Sequence, residues 1–115
     1  MTASGRIDRV RAAAAIARLA LQQIQDDLTG DISPREPAEI MRELHHEADP
    51  HDGVLGALAQ LLTRAAQTVT LTPIDTDARE AAAGAVEEAA AFITDSAGMR
   101  LHLATRTLHP QGERP

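Results

Sequence analysis

The chain contains no cysteine, tryptophan, tyrosine or lysine, and only one phenylalanine among its 115 residues. Each absence removes a class of chemistry. Without cysteine there is no disulfide framework, no thiolate zinc site and no thiol nucleophile. With a single aromatic ring, the chain offers successive bases of a single-stranded nucleic acid no stacking platform. Long apolar runs are also missing: the alanine-rich stretch after Arg6, Arg9 and Arg11 is interrupted by Arg18, and nothing approaches the roughly 20 residues of a membrane span. The expectation is a cytoplasmic protein with no membrane partner.

What the chain does have is alanine, at 23 positions, and arginine as its only basic residue, at 11. The pairing of these two excesses matches the codon usage of a GC-rich bacterial genome. Burying a methyl group removes far less surface from water than burying leucine, so such a core gains its stability from many close helix contacts. A net charge of −6 argues against nucleic acid as the partner, because phosphate neutralisation needs a basic surface. The charge is polarised. Residues 6–18 hold four Arg and one Asp, whereas residues 36–52 hold six acids and one Arg. Opposite poles on a small domain favour self-association or a charged protein partner.

Periodicity predicts an all-α fold, an antiparallel bundle of three to four helices with a long C-terminal helix, occupying residues 1–110 as one domain before a disordered tail at 111–115. Ile7, Val10, Ala14, Ala17, Leu21, Ile24 and Leu28 alternate at spacings of three and four, which predicts a first helix over 6–28, capped by Ser4 and ended by Gly30. A second helix starts at Glu36 and Pro37 and is stopped after Ala48 by Pro50. The broad apolar face of Val54, Leu55, Leu58, Leu61, Leu62, Ala65 and Val69 predicts a third, ended before Pro73. A fourth opens at Asp77 with Glu80 in a capping box. Its seam is traced through Ala78, Ala82, Ala85, Ala89, Ile93, Ala97, Leu101, Ala104 and Leu108, with a bend expected at Gly98. The alanine stripes of the first and last helices predict that these two pack close together.

The densest group of metal-ligating side chains lies between the second and third helices, from His45 to Asp52. Glu43 and His46 have the spacing used by carboxylate-bridged di-iron bundles, but no second Glu-x-x-His pair exists to complete such a site. A looser site of His46, Asp49 and His51 is the remaining metal candidate. His102 is the candidate for phosphotransfer, though Leu103 to Arg106 follow it where a lysine is needed. Glu87 and Glu88 are adjacent and point about 100° apart, so they do not flank one bond. The segment after Asp52 opens with Val54, Leu55, Gly56 and Ala57, residues suited to burial and not to reading base edges.

No catalytic or cofactor-binding residue emerges. The favoured reading is a non-enzymatic protein-interaction module that self-associates, in its simplest form as a homodimer. Its interface is expected at Met99, Leu101, Leu103 and Leu108 of the last helix and at Arg6 and Arg9 of the first. Two alternatives are a DNA-associated regulator using the arginine-rich start of the first helix, and a metal- or small-ligand-binding bundle using the 45–52 junction.

Overall fold

A computed structural model of the chain describes residues 3–108, and among these there is helix, turn and loop but no strand. The tail expected at 111–115 lies outside the described residues. The helices are α1 (Ala3–Asp27), α2 (Glu36–Leu44), α3 (Val54–Thr70), α4 (Thr76–Ala91), a π-helical segment (Phe92–Ala97) and α5 (Gly98–Leu108). They divide into two compact units, Met1–Ser33 and Pro34–Pro115.

The first unit is α1. It begins at Ala3, one residue ahead of the serine expected to cap it. Its end follows the expectation: the Leu28 and Thr29 amides donate to the Gln25 and Asp26 carbonyls, and Gly30 turns out of the helix with a φ of +89°, where L side chains are strained. Of the apolar seam, Ile24 is half-buried, while Ile7, Val10 and Leu21 are exposed.

The second unit is a helical bundle built on one long rod, formed by α4, the π segment and α5. Residues 71–75 turn the chain back so that α4 runs antiparallel along α3, and α2 lies along α5. Pro73 ends α3 as expected, but the cap of α4 is Asp75, whose carboxylate accepts a hydrogen bond from the Ala78 amide at 3.2 Å. Asp77 instead sits in the first turn of α4, where its charge suits the helix dipole. Arg79 ties the turn shut by donating to the Thr72 carbonyl at 3.2 Å.

Close packing on alanine faces, expected of the first and last long helices, is seen within this unit between α3 and α4. Buried on α3 are Gly56, Ala59 and Ala66; buried on α4 are Ala83 and Ala90. Gly56 is required, because a Cβ there would run into the carbonyl oxygen of Pro50. Among the described residues every buried hydrophobic side chain is alanine, and no large side chain is fully buried. The leucines of α3 do not form a deep core: Leu55 and Leu62 are half-buried, and Leu58 and Leu61 are exposed.

The seam of the last rod is displaced by one position from the expected one. Ala78, Ala82, Ala85, Ala89 and Ala97 are exposed, while Ala83, Ala90, Gly98 and Thr105 are buried. One residue is about 100° of helix rotation, enough to change the face. The cause is compositional: with alanine on every side of α4, apolar periodicity carries no phase. The buried positions are seven apart, then eight, then seven. The eight falls across the π segment, where the Gly98 amide reaches back five residues to the Ile93 carbonyl. That wider turn absorbs the extra residue and keeps all four positions on one face. The bend expected at Gly98 is thus a π segment ending just before it, and the rod is helical from Thr76 to Leu108.

Candidate functional site

On α5 the inward stripe is Gly98, Leu101, His102 and Thr105, which leaves Met99 and Leu103, one turn apart, on the outward face. Met99 is 62% exposed and Leu103 57%. Leu108 is also exposed, whereas Leu101 is half-buried, so it belongs only in part to the surface expected of it. Phe92, the one aromatic residue, adds to the exposed apolar surface of the rod at 67%. It lines a shallow cavity of about 340 Å³ with Ala91, Ser96 and Arg100. The Arg100 guanidinium donates to the Ser96 hydroxyl at 2.6 Å, which holds a cation at the edge of this cavity. Apolar spacing alone does not single out Phe92, because its neighbour Ile93 occupies the expected seam. Its signal was there: a lone aromatic in a chain with an alanine core has no large cavity to fill. Arg6 and Arg9 stand exposed at the start of α1.

The histidine junction is rearranged relative to the expectation. α2 stops at Leu44, not Ala48, because His45 turns to an extended backbone (φ −147°, ψ 120°) and buries its ring. A Cβ at Gly98 would lie 2.7 Å from the His45 ring, so the glycine leaves room for the imidazole. His45 Nε2 and His102 Nδ1 approach the same Glu47 oxygen, at 3.5 and 3.7 Å. With Asp95 and Met99 these residues line a cavity of about 350 Å³. His45 Nδ1 is buried without a hydrogen-bond partner. His102, the phosphotransfer candidate, is therefore half-buried beside a carboxylate.

His46, Asp49 and His51 are not brought to one point. His46 Nδ1 is 3.8 Å from Asp52, and the Asp49 carboxylate accepts from the backbone amide of His51 at 3.2 Å. The His51 side chain lines a groove of about 520 Å³ along α3 and α4, together with Gln60, Thr63, Arg64 and Glu87. Among the described residues no three His, Asp or Glu side chains are placed to hold a metal ion. Glu87 lines this groove and Glu88 the cavity beside Phe92, so the adjacent pair does face different spaces.

No described helix is long and apolar enough to cross a membrane. Comparison with protein-family models, with curated proteins and with solved structures finds no match to the chain.

Proposed function

We propose that the protein is a non-enzymatic helical interaction module that self-associates through the outward face of its C-terminal rod. The observation that carries this reading is an inversion of the usual distribution of side chains. Among the described residues the buried hydrophobic ones of the bundle are all alanine, while Phe92, Met99 and Leu103 are exposed on the outward side of the rod and Leu108 is exposed further round it. Fully covering a side chain of this size contributes about 1.5–3 kcal/mol, so a face of several offsets a sizeable part of the cost of bringing two molecules together. Arg100 beside Phe92 and Arg106 beyond Leu103 give that face a polar edge of the kind that rims interfaces. A second copy of the chain presents the same apolar face and is the simplest cover for it.

Light scattering on the purified chain tests the reading. The expected mass at high micromolar concentration is that of two or more chains. Leu103→Asp should lower it while leaving the helical circular dichroism spectrum unchanged. A wild-type chain with the mass of one copy under these conditions contradicts the proposal.

A further inference from the structure

The exposed seam of α1 has the form of a heptad repeat. Ile7, Ala14 and Leu21 occupy one core position and Val10, Ala17 and Ile24 the other, six residues along one side of the helix. Ile7, Val10 and Leu21 are exposed by 47%, 57% and 45%. In folded proteins most of a helix's stability comes from packing such a face against a neighbour.

The charges along α1 say what covers it. Near its N-terminus Arg6, Arg9 and Arg11 outnumber the one acid, Asp8, which pairs with Arg11 at 3.6 Å, and Asp26 and Asp27 stand at its C-terminus, with no acid in the first turn and no base in the last. Both ends oppose the helix dipole, which favours acids at the start and bases at the end. A neighbour running in the same direction would set arginine beside arginine and aspartate beside aspartate. A neighbour running the other way sets each arginine end beside an aspartate end and opposes the two dipoles.

We infer that α1 pairs in antiparallel orientation with α1 of a second copy of this chain. In this pairing Ile7 meets Ile24, Val10 meets Leu21, and Ala14 meets Ala17 at the centre, where methyl side chains let the axes approach closely. Arg6 flanks this core opposite Asp27 of the second copy. The inference rests on the self-association reading in that both need a second copy, but it uses a different surface.

Because the chain has no cysteine, single cysteines report the pairing without background. Ile7 and Ile24 are 17 residues apart, about 25 Å along the helix, too far for confusion between orientations. Under oxidising conditions, Ile7→Cys mixed with Ile24→Cys should give a covalent dimer, and neither variant alone should. Leu21→Glu should weaken association about a hundredfold or more, with two charges placed in the symmetric core. Leu19→Glu, on the opposite side of α1 and 66% exposed, should leave association unchanged. A covalent dimer of Ile7→Cys with itself would overturn the orientation. An oligomer that survives Leu21→Glu and gives no mixed cross-link overturns the α1 pairing and leaves self-association through the rod standing. A wild-type monomer overturns both.

Discussion

The imidazole of His45 occupies the space in which a side chain at Gly98 would begin: a Cβ there would lie 2.7 Å from Cε1 and 2.8 Å from Nδ1. The contact joins the end of α2 to the start of α5 and explains both the early stop of α2 and the glycine inside the rod. Two effects oppose each other in Gly98→Ala. Helix propensity favours alanine by about 1 kcal/mol, whereas forcing a buried ring aside costs about 1–3 kcal/mol. The ring is only 6% exposed and hemmed in, so overpacking wins and the variant should unfold at lower denaturant concentration. In a His45→Ala background the space is empty, and the same substitution should become neutral or stabilising. A chemical-denaturation double-mutant cycle reads this directly; equal effects in both backgrounds would mean that the two residues do not interact.

The displaced seam of α4 predicts opposite outcomes at neighbouring alanines. Ala90→Leu inserts three carbon atoms against α3 at a position 7% exposed and should destabilise the fold by about 1–3 kcal/mol. Ala89→Leu, which the sequence pattern had placed in the seam, points to solvent and should change stability by no more than about 0.5 kcal/mol. Thermal melts of the two variants decide between the registers.

Asp75 should matter more than Asp77 for starting α4. Removing its carboxylate leaves the Ala78 amide without its cap, and Asp75→Ala should cost about 0.5–2 kcal/mol. Asp77→Ala loses only a favourable interaction with the helix dipole, about 0.3–1 kcal/mol. Denaturation midpoints that rank the two the other way would contradict the capping assignment.

The π segment should be removable. Deleting the exposed Asp95 brings the Ala90 to Gly98 spacing from eight to seven, so an ordinary α-helix then carries the buried stripe straight through. The expected result is a chain that keeps its helical circular dichroism spectrum and melts cooperatively. Deleting exposed Glu87 instead turns Ala83 and the first half of α4 away from α3, and the melt should shift markedly downward.

These variants also mark where the sequence was informative. Gly30, Pro37 and Pro73 act on the backbone at their own positions, so the breaks between helices could be read without knowing what packs on what. Met99 and Leu103 were expected at the surface from the length of the last helix, and they are exposed, whereas Leu101, expected beside them, is half-buried against the bundle. The phase of α4 was not legible, since alanine at positions 81, 82, 83, 85, 89, 90 and 91 satisfies several seams equally. Nor was the pairing of His45 and His102 about Glu47, which depends on α2 and α5 lying side by side across more than fifty residues of chain. Local spacing pointed instead to His46, Asp49 and His51, whose side chains do not meet at one point: His46 lies by Asp52, and Asp49 accepts from the His51 backbone amide.

If a second copy covers the exposed apolar side chains of this protein, its mass in solution must depend on concentration. Sedimentation equilibrium of the unmodified chain over a dilution series should then show a mass rising from that of one chain to that of two or more. A mass equal to one chain at every concentration would rule out the second copy.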